Sequence, residues 1–117
     1  MLSPFGDIIQ KQIDQAGEEF LKKNRPDREI RAMLDLAYRT EGLNLFIVEI
    51  RPVWNNPSEK METPVAKATF VKSKGIWKVY WMRGNLKWYT YPQKPQVNSV
   101  NEFFNLVEKD ELHCFFG

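Results

Sequence analysis

The sequence predicts an α+β domain: an N-terminal helix, a mainly antiparallel sheet of about five strands, and a C-terminal helix packed on it. Three observations predict this. Apolar residues recur at helical spacing near both ends of the chain, at residues 5–20 and 100–107. Between them lie short segments rich in β-branched and aromatic residues, broken by glycine-containing turns. Strands flanked by helices in this way are expected to carry the helices on one sheet face. The 117 residues suit a single domain, 1–117, and eight Phe, four Tyr and four Trp give it core material, which argues against disorder.

The first helix is read from Phe5, Ile9, Ile13, Ala16 and Phe20, which stack on one face. Ser3 is the expected N-cap, Pro4 suits the first helical position and Asp7 complements the dipole. Lys22, Lys23 and Arg25 favour the far end, where Pro26 stops the helix. Gly17 costs about 1 kcal/mol in a helix interior, so it marks a place where another element packs closely. Asp27 to Thr40 supports two patterns. As a helix, Ile30, Met33, Leu34 and Ala37 form a stripe capped by Asp27; as a strand, Ile30, Ala32, Leu34, Leu36 and Tyr38 alternate with more polar neighbours. The alternation, with three charges on one side, favours a strand, turning at Glu41-Gly42 into a second strand, Leu43 to Arg51.

Pro52 to Pro64 reads as a loop, with Trp54 anchoring it to the body. Three strands follow. Val65 to Lys72 ends at a three-residue turn, Ser73-Lys74-Gly75, and Ile76 to Arg83 ends at Gly84-Asn85, a two-residue type II′ turn into Leu86 to Tyr91. Gln93 to Asn98 is a connector; its Pro92-Gln93-Lys94-Pro95 reads as a strand breaker rather than a ligand motif. The last helix starts at Ser99, with Glu102 completing a capping box and Val100, Phe103, Phe104 and Val107 forming the buried stripe. The apolar tail, Leu112 to Gly117, is expected to dock.

Glu49-Ile50-Arg51-Pro52-Val53-Trp54, Val65-Ala66-Lys67, Gly75-Ile76-Trp77-Lys78-Val79-Tyr80-Trp81, Leu86-Lys87-Trp88-Tyr89-Thr90-Tyr91 and Phe115-Phe116-Gly117 form an ordered series. It resembles a bacterial family of small proteins catalogued as a domain of unknown function, with an E-x-R-P-x-W … W-x-x-Y-W … K-W-x-x-Y … F-W-G pattern. Phe116 departs from it, standing where Trp is expected. The resemblance covers about the last three-quarters of the chain, implies a small cytoplasmic bacterial protein and supplies no activity.

The residues name no reaction. Glu49 and Arg51 share a strand face and read as an ion pair, since nothing nearby completes an acid–base set. His113 and Cys114 are the only His and Cys, and adjacent residues diverge too far to form a dyad; they also leave a zinc site short of ligands. The lone cysteine removes the disulfide-scaffold class. Neighbouring carboxylates, Glu18-Glu19 and Asp110-Glu111, read as solvated helix faces, and the six glycines include no phosphate-cradling cluster. No signal peptide or membrane-length apolar run is present, so the expectation is a cytoplasmic, non-enzymatic protein without metal or cofactor and without a membrane role.

Charge carries the sharper signal. The formal net charge is only +2, but Val65 to Asn98 holds seven cations and no carboxylate, leaving ten cations against all fifteen acids elsewhere. With the two-residue turn, Trp81 faces Trp88 and Tyr80 faces Tyr89. Trp77, Val79, Trp81, Trp88 and Thr90 then share a core-facing side with Val71 and Thr69. The other side holds Lys72, Lys78, Tyr80, Lys87, Tyr89 and Tyr91, beside Phe70 and Met82, as the expected binding face. Glu49, Arg51, Trp54, Trp77, Trp81 and Trp88 form the expected structural cluster. Basic side chains interleaved with aromatic rings suit single-stranded nucleic acid or another polyanion. The alternatives are a protein-interaction or homodimer surface, ordinary β-surface, and neutralisation of the basic strands by the acidic C-terminal helix.

Overall fold

The structure is a computed structural model that describes residues 3–110 and residue 115. Helix α1 (Asp7–Asn24) is followed by strands β1 (Asp35–Glu41), β2 (Asn44–Val53), β3 (Asn56–Val71), β4 (Ile76–Met82), β5 (Trp88–Thr90) and β6 (Gln96–Val97), then by helix α2 (Val100–Lys109). The sheet is antiparallel and runs β1-β2-β3-β4-β5, with β6 pairing β4 farther along the edge used by β5. The architecture is α+β, as the alternation of periods requires. No helix among the described residues is long and apolar enough to cross a membrane.

Both helices cover one sheet face. Ile13, Ala16, Gly17 and Phe20 are buried on α1, and Val100, Phe103, Phe104 and Val107 on α2, each the side of a helix that its apolar spacing marks. Phe20 meets Phe104 at 5.2 Å between ring centroids, and Phe5 meets Trp77 at 5.5 Å. Ser99 caps α2, its hydroxyl accepting from the Glu102 N–H at 3.2 Å. Its C-cap Asp110, left-handed at φ 42°, accepts from the Phe115 N–H at 3.0 Å, which carries Phe115 onto Tyr91. The expected docking of the tail is met at Phe115; Leu112, His113, Cys114, Phe116 and Gly117 lie outside the described residues.

The start of α1 differs from expectation. Ser3 closes a separate turn, with Gly6 N–H donating to its carbonyl at 3.0 Å, and its hydroxyl accepts from Phe5 N–H and donates to Gln10 Oε1. The helix therefore begins three residues after Pro4, with Gly6 at the N-cap. Residues 28–33 are consecutive turns rather than strand. In the β1–β2 register Asp35 faces Ile50, so Met33 would face Pro52, which has no N–H to give. A paired guanidinium and carboxylate, Arg25 Nε to Asp35 Oδ1 at 2.7 Å, closes the segment as a loop. The hairpin turning at Glu41-Gly42 is otherwise as predicted.

The expected loop from Pro52 to Pro64 is instead an extension of the β2–β3 hairpin, turning at Trp54-Asn55. Its prolines sit where a sheet tolerates them: Pro52 lies beyond the reach of β1, Pro57 falls at a register shift, and Pro64 flanks a second one. Trp54 does not anchor this arm to the body; it is 91% exposed at the tip.

Both meander loops are one residue longer than predicted. Val71 faces Ile76 across the four residues 72–75, closed by Gly75 N–H to Val71 O at 2.9 Å with Gly75 at φ 64°. The next loop holds Gly84, Asn85 and Leu86, with Met82 facing Trp88 and Leu86 left-handed at φ 62°. Asn85 explains the longer form: its side-chain carbonyl accepts from Lys87 N–H at 3.1 Å, and its amide donates to the Tyr89 hydroxyl at 2.8 Å. The chain from Gln93 to Asn98, expected as a connector, contributes β6.

Candidate functional site

A one-residue slip moves every side chain of a strand to the other face, and here it happens on both sides of β4. Trp77, Val79 and Trp81 still face the helices. Their neighbours on that face are Ala66, Ala68 and Phe70 on β3, with Tyr89 and Tyr91 on the β5 side. The open face carries Lys67, Thr69 and Val71 with Lys78, Tyr80 and Met82, then Trp88 and Thr90. Phe70 and Tyr91, expected on the binding face, belong to the core, Tyr91 being 0% exposed. Tyr89 lies beside Trp81 on the helix-covered side, with the Arg83 guanidinium 4.9 Å from its ring centroid. Lys72 and Lys87 are exposed loop residues. Of the six expected binding residues, Lys78 and Tyr80 remain together on the open face.

The expected structural cluster is likewise divided. Arg51 and Glu49 pair at 2.7 Å, as their spacing implies. Trp77 is core, Trp81 half-buried, Trp54 far out on the arm, and Trp88 on the open face. Among the described residues no group of three or more His, Cys, Asp or Glu side chains could hold a metal ion.

The residue that sequence reasoning missed is Lys67. It faces Phe46 on β2 and Tyr80 on β4. Its amine lies 4.6 Å from the Tyr80 ring centroid and 5.0 Å from that of Trp88. Trp88 reaches back across the sheet to 6.0 Å from the Phe46 ring, and Lys67 is half-buried among these rings. Burial therefore lowers the Lys67 pKa, while the faces of two electron-rich rings favour its charge. The usable signal was the Ala66, Ala68, Phe70 alternation: small and apolar residues taken as the core face put Lys67 outward.

Beside this aromatic box, Lys78, Tyr80, Thr90 and Gln96 line a hollow of about 230 Å³ where the edge of β4 passes from β5 to β6. The ion pairs among the described residues are Arg25–Asp35, Arg39–Glu62 and Arg51–Glu49, and none involves the seven cations of Val65 to Asn98. Helix α2 packs on the other face, so its carboxylates do not cross Lys67 and Lys78. The arrangement can hold an anion against two amines and stack a planar group on Tyr80 or Trp88.

No curated protein and no solved structure matches the chain. Residues 5–117 match the model of a domain of unknown function, DUF3024, and the chain belongs to that family.

Proposed function

We propose that this protein is a non-enzymatic binding module that holds single-stranded nucleic acid or a related polyanion on its open sheet face. The observation that carries this reading is the Lys67 amine held between Tyr80 and Trp88 with no carboxylate partner among the described residues. A phosphate would meet Lys67 and Lys78, and an unstacked base would lie on an aromatic ring, a contact worth about 1–3 kcal/mol per base. The hollow beside Lys78 offers the Thr90 hydroxyl and Gln96 amide to the edge of a base. Such a module works in the bacterial cytoplasm, where nucleic acid is at hand and a single cysteine stays reduced.

Fluorescence anisotropy with labelled single-stranded oligonucleotides at several salt concentrations tests the proposal. Affinity should fall steeply with salt, and Lys67→Ala and Lys78→Glu should each weaken binding and flatten the salt slope. Trp88→Ala should cost roughly tenfold or more with little change in slope. Lys87→Glu, outside this face, should matter less. Salt-independent binding, or binding indifferent to Lys67, Lys78 and Trp88, overturns the reading.

A further inference from the structure

Two cations of the β4–β5 hairpin, Arg83 and Lys87, stand together on the side away from the open face. Met82 faces Trp88, and one step farther the Arg83 N–H donates to the Lys87 carbonyl at 3.2 Å. Arg83 and Lys87 are therefore cross-strand neighbours at the mouth of the three-residue loop. Alternation along the hairpin puts their side chains with Trp81 and Tyr89, opposite Trp88. Residues paired in this way have Cβ atoms about 5 Å apart, and like charges at that spacing destabilise a sheet. No carboxylate among the described residues relieves them: both side chains are exposed and neither enters an ion pair. A pairing rule broken without internal compensation marks a candidate ligand site.

Arg83 is also held in place. Its guanidinium lies 4.9 Å from the Tyr89 ring centroid and 5.7 Å from that of Trp81. Tyr89 is itself fixed, because the Asn85 amide donates to its hydroxyl at 2.8 Å. Cation–π contact restrains the guanidinium without an oxygen acceptor, so its N–H donors keep the fork that a phosphate accepts from. Lys87 adds a second positive charge beside it. This pair adjoins the open face. Strand β5 is the edge of the sheet and only three residues long. Trp88 and Tyr89 are consecutive on it, one beside Lys67 and the other beside Arg83, so the width of one edge strand separates the two cationic groups. Along β4, Arg83 stands three residues past Tyr80, roughly 10 Å at about 3.3 Å per residue.

Resting on the open-face reading above, we propose that a single strand held by Lys67 and Lys78 passes over the β5 edge and lays a further phosphate against Arg83 and Lys87. The test measures anisotropy with labelled oligothymidylates of about 4 and about 12 nucleotides, within the range of single-strand site sizes. Only the longer one spans both groups. Arg83→Ala and Lys87→Gln should each weaken the longer oligonucleotide about threefold to tenfold and flatten its salt slope by about 0.7. The shorter one should be unaffected, which also controls for folding. Lys87→Gln should in addition raise the thermal midpoint of the free protein, because it removes a like-charge pair. No binding at either length overturns the open-face reading and this one together. Binding that depends on Lys67 and Lys78 but is indifferent to Arg83 and Lys87 at both lengths overturns this inference alone. So does an equal loss at both lengths. Titration with inorganic phosphate, followed by NMR, supplies the last arm: shifts confined to the hairpin, with strand affinity independent of length, would assign the pair to a free phosphate and overturn the continued path.

Discussion

The Tyr38 ring occupies the space that a side chain on Gly17 would need: a Cβ built there would lie 2.5 Å from Tyr38 Cε1. Strand β1 therefore approaches α1 closely, and the Tyr38 hydroxyl donates to Asp14 Oδ1 at 3.0 Å on the same helix. Burial, and then the Asp14 carboxylate, push the Tyr38 pKa upward.

Gly17→Ala should consequently destabilise the protein, although alanine is the better helix former by about 1 kcal/mol. Forcing the ring aside costs about 1–3 kcal/mol, so a net loss of up to about 2 kcal/mol is expected in urea denaturation. In a Tyr38→Ala background the same substitution should become stabilising. That reversal of sign assigns the glycine to the ring contact.

Asp35 supplies a pH dependence. The Arg25 guanidinium holds its carboxyl below the ordinary carboxylate range, helped by the Leu36 N–H. A carboxylate with a depressed folded-state pKa contributes stability above its unfolded pKa of about 4 and loses it as pH falls through the lower folded value. Asp35→Asn should thus be less stable than wild type at pH 7, with the gap closing in acid. Paired denaturation curves from neutral pH to below pH 3 measure it.

Tyr91 and Trp88 have exchanged the roles their sequence positions suggested, and stability measurements should separate them. Tyr91, packed on Phe115 at 4.9 Å, should lose about 3–5 kcal/mol on substitution by alanine. Trp88→Ala, at a half-buried position on the open face, should lose only about 1–2 kcal/mol in the same denaturation assay. Equal losses would contradict the three-residue loop.

That loop is improvable. Leu86 holds a left-handed backbone at φ 62° while 74% exposed, so the leucine side chain gains little there. Relief of a conformational cost of about 1–2 kcal/mol, less the added flexibility of the unfolded chain, should make Leu86→Gly about 0.5–1 kcal/mol more stable. A shift of the thermal midpoint reads it directly.

The helices were legible because their signals are local. Ser99, Glu102 and the Val100, Phe103, Phe104, Val107 stripe lie within three turns of one another, and Gly17 announced its close neighbour without naming Tyr38. The sheet was legible in its strands but not in its registers. Whether Asn85 spends its side chain on Lys87 and Tyr89 decides a loop length, and that single residue decides which way Trp88 and Tyr91 face. The arm was hidden for the opposite reason: prolines that forbid an interior strand are admissible where no third strand needs their N–H. The open sheet face was correspondingly half-read: Lys78 and Tyr80 lie on it as expected, Lys67 and Trp88 join them, and Tyr89 and Tyr91 face the helices.

The contact of Phe20 with Phe104 joins residues 84 positions apart, and it has a consequence for how the chain is made. During synthesis α1 emerges first, with its apolar stripe uncovered. Its partner α2 follows only after the whole sheet, a delay of roughly 4–17 seconds at about 5–20 residues per second. Through that interval the stripe has only the sheet to lie on, and a chain cut short before Phe104 never gains the ring that closes over Phe20.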